Sequence, residues 1–147
     1  MLTITKRLEF DAGHRIPDHN SECRNLHGHR YVLELTLEGE VVDAPGTPEH
    51  GMLMDFSAVK SIAREYVVDP WDHAFLVYEG DKPVRDLLDA LPDHKTVVLS
   101  AVPTAENMAR IAFEILAPRL QARYGNKLRL AKVKLYETPN SWAEYTA

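Results

Sequence analysis

The sequence contains a single cysteine, Cys23, in 147 residues. One cysteine excludes an internal disulfide and is typical of proteins kept in a reducing compartment, so we expect a cytoplasmic protein. No apolar run approaches the roughly 18 residues that a membrane-spanning helix needs. The chain begins with Met1-Leu2-Thr3 and passes directly into an alternating pattern, which differs from a signal peptide. We therefore expect no membrane association.

The chain also lacks an excess of basic residues. It has 17 Lys and Arg against 22 Asp and Glu, a formal net charge of −5, and no local basic cluster, so a nucleic-acid partner is not expected. Internal repeats and low-complexity segments are absent as well. The hydrophobic fraction of 45% and the charged fraction of 27% are those of an ordinary globular protein. This length predicts a single domain over residues 1–147.

Two segments, residues 2–12 and 27–42, alternate apolar and polar residues with the period of two that is typical of half-buried strands. Their inward positions are Leu2, Ile4, Leu8, Phe10 and Ala12 in the first segment and Tyr31, Leu33, Leu35 and Leu37 in the second. Both segments are predicted to lie in one sheet with these residues facing the core.

Three of the seven histidines continue these inward faces. His14 follows the first strand in register, and His27 and His29 precede the second. His27 and His29 would lie roughly 7 Å apart along a strand, close enough for both imidazoles to bind one ion with bonds of about 2.0–2.1 Å. A lone histidine on an apolar face is usually a hydrogen-bonded core residue, but three together near a thiol favour a metal. We predict a zinc site at His14, His27 and His29.

Cys23 lies in a polar loop, residues 15–26, with three residues between it and His27. Two interpretations are open. A catalytic zinc with three histidine ligands would leave its fourth position free, with Cys23 beside it as a base or nucleophile. A structural zinc would instead use Cys23 as the fourth ligand, which would make the protein a non-catalytic zinc module.

The remaining elements follow from helical spacing, capping residues and short apolar runs. They are a helix over 56–67 that begins at Asp55 or Ser57 and ends at Asp69-Pro70, a helix over 81–91, a strand over 96–100, a long helix that begins at Thr104, is kinked or divided at Pro118 and ends at Gly125, a strand over 129–137, and an extended piece over 142–145. This order predicts an α+β domain with an antiparallel four-stranded sheet and helices packed on one face.

Two further polar features lie among apolar residues. Asp72 and His73 form an acid–histidine pair, which is a common way to orient an imidazole, although a capped turn explains the pair as well. Glu137 has the inward parity of the last strand, where a carboxylate is costly unless something pairs with it. Its partner would be either a ligand with N–H donors or a buried lysine or arginine.

These features fall within a set of ordered motifs. The set consists of Phe10-x-Ala12-x-His14, Cys23-x-x-x-His27-Gly28-His29, Met54-Asp55-Phe56, Asp72-His73, Pro103-Thr104-Ala105-Glu106-Asn107 and Tyr136-Glu137-Thr138. The chain resembles the 6-pyruvoyl-tetrahydropterin synthase family. It is most similar to the bacterial branch that makes 6-carboxytetrahydropterin for queuosine biosynthesis, which has the same spacing from cysteine to His-Gly-His.

The resemblance implies a tunnelling fold, in which trimers close a β-barrel and two trimers stack into a homohexamer. It implies a lyase that uses Zn²⁺ and acts on 7,8-dihydroneopterin triphosphate, with 6-carboxytetrahydropterin, acetaldehyde and triphosphate as products. A 6-pyruvoyl-tetrahydropterin synthase or a related pterin side-chain lyase is the alternative.

The resemblance also implies roles for individual residues. The implied zinc ligands are His14, His27 and His29. The implied proton acceptor is Cys23, with Asp72 and His73 completing a relay. The implied pterin anchor is Glu137, which can also belong to the relay, and the implied pocket lining is Thr104, Ala105 and Glu106.

Three points are left open by the sequence. Four basic residues are candidates for binding the triphosphate: Arg15, Arg24, Arg30 and Lys60. The segment 77–102 is longer than in short bacterial members of the family, and its role is open. So is the question of which neighbouring subunit completes the pocket.

Overall fold

The computed structural model describes residues 1–147. Its strands are β1 (Leu2–His14), β2 (His27–Gly39), β3 (Ala74–Tyr78), β4 (Thr96–Leu99), β5 (Leu128–Thr138) and β6 (Ser141–Thr146). Its helices are α1 (Phe56–Ala63), α2 (Asp69–Trp71), α3 (Lys82–Asp89) and α4 (Ala105–Tyr124), and a π-helical turn, Arg64–Val68, joins α1 to α2. None of the helices combines the length and the apolar composition that crossing a bilayer would require.

The strands form one six-stranded mixed sheet with the order β4-β3-β1-β2-β5-β6. The α+β class is confirmed, and β1, β2, β5 and β6 form an antiparallel group. The predicted four-stranded sheet is too small, because β3 and β4 extend it by parallel pairing beside β1. The five residues of β3 follow Asp72-His73 and do not alternate, so the period of two that reveals β1 and β2 is missing there.

The helices lie on both faces of the sheet, which corrects the prediction of one face. Helices α1 and α4 cover the main core of 28 buried residues. In β3, Leu76 belongs to that core, whereas Val77 packs on the other side with Val84 and Leu88 of α3. The crossover from β3 through α3 to the parallel β4 therefore places α3 on the second face.

The predicted helix starts are confirmed. The predicted helix end at Pro70 and a division of the long helix at Pro118 are wrong. The Asp55 carboxylate accepts a hydrogen bond of 2.7 Å from the Ser57 N–H at the start of α1, and Thr104 Oγ1 accepts one of 3.2 Å from the Asn107 N–H at the start of α4. The chain does not leave the helical conformation at Pro70, because the π-helical turn continues it into α2. Pro118 lies inside an undivided α4.

Candidate metal centre and active site

The pairing of β1 with β2 brings the three predicted histidine ligands together. His14 lies directly opposite His27, and His29 lies opposite Ala12. All three side chains face the helix-covered side of the sheet, and their ligand nitrogens lie within 4.8 Å of one another. A side chain on Gly28, between two of the histidines, would come within 2.9 Å of the Ala12 carbonyl oxygen, so the close approach of the two strands here requires glycine.

Backbone carbonyls fix the orientation of two of these rings. His14 Nδ1 lies 2.7 Å from the carbonyl oxygen of Pro103, and His27 Nδ1 lies 2.7 Å from that of Asn25. A carbonyl only accepts, so each Nδ1 is the donor and each Nε2 carries the lone pair of the neutral ring. Orientation of a ligand ring by such a bond is typical of metal-binding histidines.

The remaining nitrogens have the spacing of two ligands of one ion. His14 Nε2 and His27 Nε2 lie 3.1 Å apart, close to the about 3.3 Å that separates two nitrogens bound to tetrahedral zinc at about 2.0–2.1 Å. Two lone pairs facing each other at this distance repel unless a cation lies between them. Burial lowers the pKa of both His14 and His29, which favours the neutral form that binds metal. The three residues therefore fit a zinc ion.

Glu137 lies beside the histidines at the end of β5. Its Oε1 atom is 3.5 Å from His14 Nε2 and 3.8 Å from His29 Nε2, and its side chain is 29% exposed. No lysine or arginine forms an ion pair with it, so the alternative of a buried cationic partner finds no support in the structure. The carboxylate is left with free acceptor capacity next to the cluster.

Asp72 and His73 form a second polar group, which is positioned by β1. The Asp11 N–H donates to Asp72 Oδ1 at 2.9 Å, and this bond is the main reason that the pKa of Asp72 is lowered. The Asp11 carbonyl accepts from the His73 N–H at 2.6 Å, which holds His73 in a left-handed conformation with φ of 58°. Asp72 Oδ2 lies 2.9 Å from His73 Nδ1.

The His73 imidazole is 75% exposed and borders an open cavity of about 460 Å³. The cavity is also lined by His29 and by Arg30, Phe75 and His94. This cavity thus lies beside both the strand that carries His29 and the acid–histidine pair.

Comparison with known proteins decides the family. The profile of the 6-pyruvoyl tetrahydropterin synthase family matches residues 3–147. The chain belongs to the 6-pyruvoyl tetrahydropterin synthase family. It is 39% identical over 144 residues to the 6-carboxy-5,6,7,8-tetrahydropterin synthase of Rickettsia bellii, covering 98% of this chain and 99% of the relative. It is 34% identical over 148 residues to the enzyme of the same name from Haemophilus influenzae, with 99% of both chains covered.

Solved structures agree on the fold of this synthase family member. A 6-pyruvoyl tetrahydropterin synthase from Caenorhabditis elegans superposes with a TM-score of 0.67 at 28% identity, covering 99% of this chain and 95% of that one. An uncharacterised protein of Wolinella succinogenes superposes with a TM-score of 0.81 at 23% identity, covering 99% and 97% of the two chains.

The other predicted site residues of the synthase are Cys23 and the residues at the start of α4. Cys23 is a free, half-buried thiol in a short 3₁₀ turn, Glu22–Arg24, and its side chain forms no hydrogen bond with Asp72 or His73 of the same chain. Thr104, Ala105 and Glu106 begin α4 directly after Pro103, whose carbonyl contacts His14. The start of α4 is thus adjacent to the histidine cluster.

Two kinds of supporting contact were not predicted. The carbonyl oxygens of Asn25 and Pro103 orient His27 and His14, but a backbone acceptor has no residue signature in a sequence. The Arg15–Asp81 ion pair joins residues 66 positions apart, with Arg15 Nε donating to Asp81 Oδ2 at 2.7 Å. Only the three-dimensional structure reveals either contact.

Proposed function

We propose that this protein is a zinc-dependent lyase that converts 7,8-dihydroneopterin triphosphate to 6-carboxy-5,6,7,8-tetrahydropterin, with release of acetaldehyde and triphosphate, as a cytoplasmic step of queuosine biosynthesis. The single observation that carries the proposal is the cluster of His14, His27 and His29 with the carboxylate of Glu137 beside it. The named relatives in the same family, similar over their full length, support the same activity.

The proposed division of labour follows from the chemistry of each side chain. His14, His27 and His29 would hold zinc, which when bound supplies a Lewis acid that acidifies substrate hydroxyls and stabilises the enolate-like charge left when a proton leaves carbon. Glu137 would accept two parallel N–H bonds from the 2-amino and ring-nitrogen edge of the pterin, as a carboxylate does from guanidinium. Thr104, Ala105 and Glu106 would line the pterin pocket.

Cys23 and the acid–histidine pair would transfer protons. Cys23, as a thiolate, would take the proton from the substrate carbon. Because Asp72 lies next to His73 Nδ1, it favours the tautomer in which Nε2 is the atom that exchanges protons. His73 is exposed at the rim of an open cavity, so we propose that the relay is completed between neighbouring subunits rather than within one chain.

The four basic residues that could bind the triphosphate differ in their carboxylate partners and in their distance from the histidine cluster. Arg15 and Arg30 are each held by two hydrogen bonds to a carboxylate, that of Asp81 and that of Asp11 respectively. Lys60 lies in a separate cleft with Lys6, about 20 Å along β1 from the histidines. Arg24 has no carboxylate partner and follows Cys23 directly, so we propose that Arg24 binds the triphosphate.

A product assay tests the function. The zinc-loaded protein is incubated with 7,8-dihydroneopterin triphosphate, and acetaldehyde, triphosphate and 6-carboxytetrahydropterin are measured. We expect all three in equal amounts. Release of triphosphate without acetaldehyde would show that the three-carbon side chain is retained, and the protein would then be a 6-pyruvoyl-tetrahydropterin synthase. Absence of all three products would overturn the lyase assignment.

Cys23→Ala distinguishes a catalytic zinc site with three histidine ligands from a structural site in which Cys23 is the fourth ligand. We expect the variant to retain zinc and lose turnover by about 10²–10⁴-fold, the usual contribution of a general base. Zinc content and product formation are measured on the same preparation, with Cys23→Ser as a variant that keeps a polar group of similar size. Loss of zinc from both variants would instead identify Cys23 as a fourth ligand.

Two unpaired strand edges, one on β6 and one along β1, favour a closed oligomer. Strand β6 has a neighbour on one side only, and β1 pairs with β3 only at Ala12 and Gly13. The Asp11 N–H and carbonyl point toward the start of β3. Thr5 and Arg7 have the same parity in the strand, so their N–H and carbonyl groups point to the same edge, which is open there. Such edges invite pairing with another copy, and we propose that trimers close a barrel and stack into a homohexamer.

Thr5→Pro tests this arrangement, because it removes an N–H that has no partner within one chain. We expect the wild type to sediment as a hexamer at micromolar concentration and Thr5→Pro to sediment as smaller species. Thr5→Ala is the control, since it loses the 3.0 Å contact between the Thr5 and Thr36 hydroxyls but keeps the N–H. A monomeric wild type, or a hexameric Thr5→Pro, would contradict the edge-to-edge assembly.

A further inference from the structure

Asp81 is a buried carboxylate outside the site described above. Its side chain is 2% exposed, and together with His14 it makes up the buried polar residues of the chain. Arg15 Nε donates to one oxygen at 2.7 Å and Arg15 Nη2 donates to the other at 2.5 Å. A buried charge is tolerated only when such bonds satisfy it, and a two-bond fork also fixes the relative orientation of the two groups.

The position of this ion pair in the fold connects it to the metal cluster. Arg15 directly follows the histidine ligand at the end of β1, and Asp81 directly precedes α3. The unit formed by β3, α3 and β4 begins just after Asp72-His73. The chain that leaves this unit reaches Pro103, whose carbonyl orients His14. Both ends of the unit therefore contribute to the site.

This unit is attached to the rest of the sheet over a short distance. Strand β3 pairs with β1 only at Ala12–Ala74 and Gly13–Phe75. On the second face of the sheet, Val77, Val84 and Leu88 form a cluster separate from the main core. Leu76 and Leu99 anchor the two strands in the main core, and Lys95 Nζ donates to the Asp69 and Asp72 carbonyls at the β4 end of the unit. At the α3 end, the Arg15–Asp81 pair links the unit to the end of β1.

We propose that Arg15 and Asp81 are positioning residues for the metal centre. The pair fixes the end of β1, and with it the place of His14 relative to the Pro103 carbonyl and to His27. The assignment rests on the proposed function in that it takes His14 as a zinc ligand. It also gives the β3–α3–β4 segment a role, which is to brace the ligand strand from the face opposite α1 and α4.

The test compares variants of the pair with two controls in the same unit. Arg15→Lys keeps the charge but loses the two-bond fork, and Asp81→Asn keeps the shape but loses the charge. Val84→Ala loosens the small α3 cluster without touching the pair. Asp86→Asn breaks an exposed ion pair with Lys82 on the same helix. Zinc affinity by chelator competition, the visible spectrum of the cobalt form and the melting temperature are measured for each.

We expect both variants of the pair to bind zinc about 10- to 100-fold more weakly, the usual effect of losing a group that supports a metal ligand, and to change the cobalt spectrum. Val84→Ala should lower the melting temperature while keeping wild-type zinc affinity, and Asp86→Asn should change neither. Wild-type zinc affinity in both pair variants would overturn the assignment, as would an equal loss of affinity in Val84→Ala. If Asp81→Asn does not fold, Arg15→Lys decides.

The same measurement distinguishes this assignment from the proposed function. If the wild-type protein binds zinc and makes product but the pair variants match it, only the positioning role is wrong. If the wild-type protein itself has no zinc affinity, the metal-dependent function is wrong and the positioning role with it.

Discussion

Replacing either His27 or His29 by alanine is expected to remove zinc and activity together. The three imidazoles have ligand nitrogens within 4.8 Å of one another, and no fourth protein side chain is assigned to the ion. Loss of a group that only supports a ligand costs about 10- to 100-fold in metal affinity, so loss of a ligand itself should cost more. We expect dialysed His27→Ala and His29→Ala to contain almost no zinc and to form no product.

The control for this experiment is a histidine outside the cluster. His50 is exposed and lies 3.8 Å from Asp43 in the segment between β2 and α1, so His50→Ala should keep full zinc content and turnover. Zinc is measured by elemental analysis and product by the acetaldehyde assay. Stoichiometric zinc in both cluster variants would refute the three-histidine assignment, whatever their activity.

The central part of the fold was predictable because its information is local. The period of two identifies β1 and β2, and the same parity places His14, His27 and His29 on the inward face. The start of α4 at Thr104 follows from capping chemistry, and its end at Gly125, where φ is 63°, follows from the conformational freedom of glycine. In each case a few neighbouring residues determine the outcome.

The parts that were not predicted depend on distant residues. Strand β3 pairs with β1 across about sixty positions of sequence and has no alternation of its own. The face occupied by α3 follows from the parallel crossover, which no local pattern encodes. The Arg15–Asp81 pair likewise needs the fold to bring its members together. The metal cluster was predictable from parity, whereas the contacts that support it were not.

Glu137→Gln is expected to separate ligand binding from stability. The carboxylate has no lysine or arginine partner, and the imidazoles of His14 and His29 lie 3.5 Å and 3.8 Å from it. The amide therefore leaves no buried cation unpaired, and the melting temperature should stay close to that of the wild type. If Glu137 balanced a buried cation, the change would instead cost about 3–5 kcal/mol of stability.

Pterin binding should respond in the opposite way. A carboxylate offers two acceptors to the N–H edge of a pterin, whereas an amide offers one acceptor and presents a donor against a donor. Loss of one charge-assisted bond is worth about 1.5–3 kcal/mol, which is about 10- to 100-fold in affinity. Pterin affinity, zinc content and melting temperature are measured on the same preparation, with Glu34→Gln as control because Glu34 pairs with Arg7 at 3.3 Å away from the cluster. A large fall in melting temperature with unchanged pterin affinity would refute the anchor role, and a loss of zinc would make Glu137 a metal ligand instead.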